Sequence, residues 1–235
     1  MDWTSLIGPA VVAVVIAAAV SITIAVINRA TLRAMHRERL DLDRDLADRR
    51  ANADIALAER KVALDRALEA WKRRTEFAEA VLADFYQAQR IIDEARSPGS
   101  MGDEGSTRPK VAGETEDEAR TLNAYFVTAE RLNNRNEFFA QLHSRRYRFI
   151  AYFGHEAAKP YDDLHKIYAE ILLAVRMLVD THRQRDLGFM PQAIDEWKTT
   201  IGWGLPEKDT IPARLTGIIE AIEQTCRPVI QEIAQ

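Results

Sequence analysis

Histidines and carboxylates are the residues whose spacing in this sequence bears on catalysis or metal binding. Asp162 and His165 have the carboxylate-x-x-His spacing of di-iron helices, which places both side chains on one helix face. Such a site needs a second copy of the motif and carboxylates from two other helices, and the sequence holds no second copy. The pair His155-Glu156 also lacks the second histidine of the His-Glu-x-x-His zinc motif. We therefore predict neither a metal nor a cofactor.

A second candidate for chemistry is the pair Arg135-Asn136, which is followed by His143. This arrangement resembles the Arg…His pairing of helical ribonuclease domains of the HEPN type. Those domains have four to six residues between the arginine and the histidine, whereas this chain has seven. The resemblance implies general acid–base cleavage of RNA by Arg135 and His143. Because it covers so few residues, we predict that the chain is not an enzyme and keep the ribonuclease as a lesser alternative.

Two further groups of residues are candidate binding surfaces. Arg145, Arg146 and Arg148 lie among aromatic residues, a combination that can stack RNA bases and contact phosphates. A formal net charge of −4 disfavours a dedicated nucleic-acid binder, and we expect these arginines on the solvated face of a helix. Trp203, between two glycines, is either an exposed anchor for a partner or a side chain that folds back onto the domain. The sequence does not decide whether either group binds a partner.

The cysteine content and the glycine-rich segment exclude two other kinds of site. Cys226 is the only cysteine, so no intrachain disulfide can form, and we expect a small buried core residue rather than a reactive thiol. Residues 97–114 are rich in glycine and proline but lack the Gly-x-x-x-x-Gly-Lys-Ser/Thr phosphate-binding motif. We predict a flexible surface loop there.

The elements that position these residues begin with an apolar segment, which we assign to a membrane anchor at residues 1–28. Between Asp2 and Arg29 there is no charged residue, and Leu6–Ile27 is long enough for a helix to cross a bilayer. Trp3 is placed to anchor at the membrane interface. A cleaved signal peptide is the alternative, but such peptides have a basic N-terminus and a shorter apolar region.

The flanking charges predict the orientation of this anchor. Arg29, Arg33, Arg37 and Arg39 follow it directly, so the positive-inside rule places the N-terminus outside and the remaining chain in the cytoplasm. We expect a single-pass protein of the inner (cytoplasmic) membrane. We also expect the protein to be bacterial, an assignment that rests on its Ala/Arg-rich composition.

Small residues recur every four positions in the anchor, at Ala13, Ala17, Ser21 and Ala25. Such a stripe allows two membrane helices to pack closely, although an alanine-rich span also produces it by composition alone. We expect a homodimer through this stripe and the stalk that follows.

Residues 29–70 form the predicted stalk, within a stretch from Ala10 to Ser97 that has no glycine or proline. Apolar residues there alternate at spacings of three and four, as in a parallel coiled coil, although Arg39, Arg49 and Lys61 occupy core positions of the pattern. The alternation shifts register near residues 53–61, which lengthens the local period. The alternative is a solvated helix whose apolar stripe packs on its own domain.

Residues 71–235 form the predicted all-α domain, an antiparallel helical bundle. The apolar face widens beyond Trp71, as a globular core requires. A Thr115/Glu118 capping box opens a helix that we expect to continue to Gly154. Further helices are predicted before Gly188, over 191–199 and from about Pro212, with a kink at Pro228. No segment shows sustained two-residue alternation, so we predict no sheet.

The pattern as a whole favours a single-pass, membrane-anchored interaction or scaffold protein with an unknown protein partner and without nucleic acid. The first alternative is a membrane-tethered sensor that binds a ligand between the bundle helices. A cavity with converging polar groups would favour that sensor. The second alternative is the HEPN-like ribonuclease.

Overall fold

The computed structural model describes residues 8–110, 112–183 and 191–232 of the chain. Trp3, Leu6 and Gly188 lie outside these ranges. Within them the secondary structure is helical, without a strand, which confirms the all-α prediction. The α-helices are α1 (Pro9–Ala95), α2 (Glu116–Asn133), α3 (Asn136–Phe153), α4 (Lys159–Arg183), α5 (Pro191–Thr200) and α6 (Ile211–Gln231). Short 3-10 turns at Glu156–Ala158 and Pro206–Lys208 precede α4 and α6.

Helix α1 runs without interruption through the segment that lacks glycine and proline. Its N-terminal part is long and apolar enough to cross a membrane, and the most apolar part of it is exposed. The chain divides into two compact units, residues 1–67 and residues 68–235. In the first unit α1 is the only helix described, and its side chains from residue 11 to residue 67 are exposed.

The larger core of the second unit forms where the end of α1 packs with α3, α4 and α6. Phe85, Phe149, Ile167 and Ile222 are fully buried there. The rings of Phe85 and Tyr161 meet edge to face, with centroids 4.8 Å apart. Tyr86, on the same part of α1, lies outside this core: it is 43% exposed and donates its hydroxyl to Glu223.

A smaller core lies farther along the same unit, between α2, α4 and α5. Leu122 of α2, Val175 and Leu178 of α4, and the adjoining Ile201 are buried in it. Because α4 has 25 residues, its first half packs into the larger core and its second half into the smaller one. Helix α4 therefore joins the two cores.

The single helix expected from Thr115 to Gly154 is in fact two helices, so that prediction was wrong. The capping box forms: the Thr115 hydroxyl accepts from the Glu118 amide, and the Glu118 carboxylate accepts from the Thr115 amide. The helix then ends at Asn133, and a second one starts at Asn136. Asn has a weak helix propensity, and the run from Asn133 to Asn136 carries three of them, which favours a break there.

Two arginines hold the segment predicted to be a flexible loop. The Arg131 guanidinium donates to the carbonyls of Glu94, Ser97 and Gly99 and pairs with Glu104 at 2.6 Å. Farther along, Arg108 is 3% exposed and makes a bidentate ion pair with the Glu114 carboxylate. These contacts attach the segment to the ends of α1 and α2.

A third arginine connects three parts of the second unit. Arg96, one residue beyond α1, is 6% exposed. Its guanidinium donates to the carbonyls of Thr199 and Thr200 and to the Asp209 carboxylate. The end of α1 is thereby joined to the end of α5 and to the segment that precedes α6.

Candidate functional site

A cavity with polar and apolar groups in its lining lies between α3 and α4 and has a volume of about 300 Å³. Helix α3 lines it with Asn136, Phe139, Ala140, Leu142 and His143. Helix α4 lines it with Tyr161, Leu164, His165 and Tyr168.

The spacing of the lining residues follows from helical geometry. Asn136, Phe139, Ala140 and His143 stand at i, i+3, i+4 and i+7, and Tyr161, Leu164, His165 and Tyr168 repeat the same spacing on α4. Residues so spaced share one face of a helix. Two such faces turned towards each other form a groove, and α3 begins early enough to include Asn136 because the preceding helix ends at Asn133.

The groove has an apolar floor and a polar rim. Phe139, Leu142 and Leu164 are at least nine-tenths buried, and the rings of Phe139 and Tyr168 lie with centroids 4.7 Å apart. Asn136, His143 and His165 are exposed. The two imidazoles lie side by side, with ring centroids 5.3 Å apart and planes inclined by 38°.

Tyr161 is the most buried residue of this lining, and its ring packs on Phe85 and Phe149 in the larger core. Its side chain is 2% exposed, and its hydroxyl has no hydrogen-bond partner among the described residues. Burial raises the pKa of this hydroxyl, so it stays protonated near neutral pH. A buried phenol without a partner loses the hydrogen bonds it had in water.

The structure separates the two members of the Asp162-x-x-His165 motif. Asp162 faces Arg146, with a distance of 2.8 Å between carboxylate oxygen and guanidinium nitrogen, whereas His165 faces His143. Arg146, and to a smaller extent His143, lower the pKa of the Asp162 carboxyl. Within the described ranges no group of three or more His, Cys, Asp or Glu residues is placed to hold a metal ion.

The residues that resemble a ribonuclease motif are divided between two cavities. Asn136 and His143 line the groove between α3 and α4. Arg135 lines another cavity, beside Arg131 and the segment that follows α1.

The basic cluster contacts groups of the protein itself. Arg145 pairs with Asp84, and Arg146 pairs with Asp162. The guanidinium of Arg148 lies over the Phe77 ring, 4.5 Å from its centroid. Burial raises the pKa of Asp84 against the opposing effect of Arg145. These arginine contacts connect α3 with α1 and α4.

Trp203 packs edge to face against Tyr125, with ring centroids 5.8 Å apart, and remains 40% exposed. Gly202 before it has φ +88°, and a Cβ at that position would collide with the carbonyl oxygen of Arg96. A glycine is therefore required for this turn. Cys226 is fully buried, and burial raises the pKa of its thiol to about 11.

Sequence reasoning missed the meeting of His143 with His165. Motifs within one stretch of chain do not pair these two residues, because they come from different helices. The available signal was that each stands on the same face as an aromatic residue one turn away, Phe139 on α3 and Tyr168 on α4. Comparison of the chain with protein-family models, with curated proteins and with solved structures finds no match.

Proposed function

We propose that this chain is a single-pass membrane protein whose stalk pairs with a second copy and displays a helical interaction domain. The observation that carries the proposal is the exposed apolar stripe of the first unit. Its large side chains are 48–68% exposed, and no described residue covers them. The stripe consists of Leu32, Met35, Leu42, Leu46, Leu57 and Leu64.

A second copy of the same helix is the occupant that this stripe fits. Apolar side chains at spacings of three and four form the seam of a two-stranded coiled coil, where each knob enters a hole on the facing helix. Removing each leucine from water contributes about 1.5–3 kcal/mol when burial is complete. The remaining surface carries charged pairs within the helix, such as Arg44 with Asp41 at 3.9 Å, and stays compatible with water.

The same pairing brings the apolar anchor of α1 beside its copy. The stripe Ala13, Ala17, Ser21 and Ala25 is exposed, so it is available for close helix packing in a bilayer. The Ser21 hydroxyl donates to the Ala17 carbonyl of its own helix, at 2.8 Å, and therefore presents little uncompensated polarity to lipid. Orientation with the N-terminus outside follows from Arg29, Arg33 and their neighbours.

Cysteine crosslinking of the full chain in lipid nanodiscs tests the pairing. Leu46→Cys and Leu57→Cys should each form disulfide-linked dimers under mild oxidation. The matched controls, Asp48→Cys and Glu59→Cys, lie about 200° around the helix from them and should crosslink poorly. The natural thiol of Cys226 is buried and has a raised pKa, so it competes little. Exclusively monomeric Leu46→Cys and Leu57→Cys proteins would refute the coiled coil.

The N-terminus of the purified protein distinguishes an anchor from a signal peptide. Intact-mass measurement should find residues 1–28 retained if the segment is a membrane anchor. Loss of these residues would identify a cleaved signal peptide and would remove the membrane part of the proposal.

The second candidate function is the membrane-tethered sensor. The observation that favours it is the groove between α3 and α4, because the imidazoles of His143 and His165 converge there over an apolar floor. The ribonuclease has less support, since Arg135 and His143 line different cavities.

A further inference from the structure

The groove between α3 and α4 has features that together specify a class of ligand. Its volume of about 300 Å³ stands at the lower end of the range for small-molecule sites, and it admits a compact ligand rather than a polymer. All of its lining residues belong to the second unit. Ligand binding in the groove is therefore independent of pairing in the stalk, and it is the property that the sensor alternative requires.

The floor of the groove favours a flat apolar body. Phe139 and Tyr168 present two rings whose centroids are 4.7 Å apart, flanked by the aliphatic side chains of Leu142 and Leu164. Aromatic rings pack best against other rings in offset or edge-to-face arrangements. A ligand with one aromatic ring system packs on this floor better than a sugar or a highly charged polymer does.

The rim favours a hydrogen-bond acceptor that carries negative charge. His143 and His165 bring two imidazoles to the mouth of the groove, and the Asn136 side-chain amide stands on the same side as His143. Each of these groups can donate an N–H. The lining contains no carboxylate.

The charged groups nearest to this rim already have partners. Asp162 is paired with Arg146, and Lys166 is paired with Asp163. Asp162 acts electrostatically on His143, but the Arg146 guanidinium beside it offsets its charge.

Tyr161, the most buried residue of the lining, belongs mainly to the larger core. Its ring packs on Phe85 and Phe149, and its hydroxyl is closed to solvent. A ligand in the groove therefore meets the floor and the rim rather than this hydroxyl.

We propose that the groove between α3 and α4 binds a small aromatic carboxylate. The ring packs on Phe139 and Tyr168, and the carboxylate accepts hydrogen bonds from His143 and His165. Hydrogen bonds to a charged acceptor are stronger than neutral ones, so the imidazole pair determines the selectivity for an acid over its ester. In a protein with this architecture, the site is a means by which a small metabolite is sensed at the membrane.

Binding of indole-3-acetate and benzoate to the full chain in lipid nanodiscs tests the proposal, with the methyl esters of both acids as neutral controls. Isothermal titration and ligand-observed NMR should detect the acids at millimolar concentration or below. The esters should bind about tenfold more weakly or not at all, because one lost charge-assisted hydrogen bond corresponds to about a factor of ten or more.

Histidine variants locate the site. His143→Ala and His165→Ala should each weaken binding of the acids about tenfold. Both residues are exposed, so folding should be retained, as circular dichroism will show. The matched control His155→Ala changes an exposed histidine outside the groove and should bind like the natural chain.

The proposal is overturned if neither acid binds, if the esters bind as tightly as the acids, or if His143→Ala and His165→Ala leave binding unchanged. Crosslinking of Leu46→Cys reads out the stalk in the same preparation. A negative result for ligand binding therefore leaves the crosslinking result valid, and a negative crosslinking result leaves the binding result valid.

Discussion

The buried ion pair between Arg96 and Asp209 is expected to be a main determinant of the stability of the second unit. The Arg96 Nη2 atom lies 2.7 Å from the Asp209 carboxylate and 3.0 Å from the Thr199 carbonyl oxygen. Its Nε atom lies 2.9 Å from the Thr200 carbonyl oxygen. The side chains of the pair are 6% and 17% exposed, so most of the interaction is shielded from water.

Removal of one partner of this buried pair should lower the free energy of unfolding more than removal of an exposed ion pair does. Asp209→Asn keeps the shape but leaves the Arg96 charge buried, and breaking a buried pair in this way costs about 3–5 kcal/mol. We expect about 3 kcal/mol, because Asp209 retains some contact with water. Arg96→Met removes the buried charge and leaves the carbonyls of Thr199 and Thr200 without this donor, at about 2 kcal/mol.

The double variant separates a specific pair from two independent effects. Arg96→Met/Asp209→Asn carries neither charge, so its cost should fall below the sum of the single changes by about 1–2 kcal/mol. Additive costs would show that the two side chains do not interact.

Urea unfolding of the full chain in nanodiscs, followed by tryptophan fluorescence, measures these differences. Trp203 follows Gly202, whose backbone approaches the Arg96 carbonyl, and its ring contacts Tyr125. The control is Arg90→Met/Glu94→Gln, which removes an ion pair of 3.4 Å whose side chains are 72% and 59% exposed. That change should cost less than about 0.5 kcal/mol. An Arg96→Met variant as stable as this control would refute the reasoning.

Two further predictions concern glycines and pH. Gly202→Ala should destabilise by more than about 1 kcal/mol, because φ is +88° and the Cβ would meet Arg96. Gly217→Ala should instead stabilise by about 0.5–1 kcal/mol, since no atom lies within 4 Å of its Cβ and α6 gains helix propensity. The Arg131 hydrogen bond lowers the pKa of Glu104 from 4.5 to about 2. The ionised carboxylate of Glu104 therefore stabilises the fold above pH 4.5, and this contribution to stability is lost as the pH falls towards 2.

Thermal melting followed by circular dichroism checks both predictions. For the glycines, equal shifts in the same direction would contradict the structural explanation. For Glu104, the difference in melting temperature between the natural chain and Glu104→Gln should be constant above pH 4.5 and should shrink below it. A difference that does not change with pH would show that the carboxylate contributes no charge-dependent stability.

Helix content and the N-terminal apolar segment were predictable because both depend on local patterns. A run without glycine or proline, such as 10–97, has nothing to break a helix, and α1 follows it throughout. The capping box at Thr115 also depends on residues three positions apart. The break at Asn134 was missed because the apolar periodicity continues across it while a few weak helix formers end the helix.

The candidate site could not be predicted because it forms between residues that are distant in sequence. His143 and His165 are 22 positions apart, and each is an exposed residue on its own helix. Their approach depends on how α3 and α4 pack, which involves Phe139, Tyr168 and the residues beneath them. Spacing rules within one helix contain no information on that distance.

The sequence by itself determined the helical class, the apolar N-terminal segment, the start of α2 and the apolar stripe of residues 32–64, because each is a property of neighbouring residues along one helix. Only the tertiary structure decided which charges and rings meet. It paired Arg96 with Asp209 across 113 positions, directed Asp162 to Arg146, and placed two imidazoles over an aromatic groove. These contacts depend on the packing of whole helices, since a side chain finds its partner only after the cores beneath it have formed.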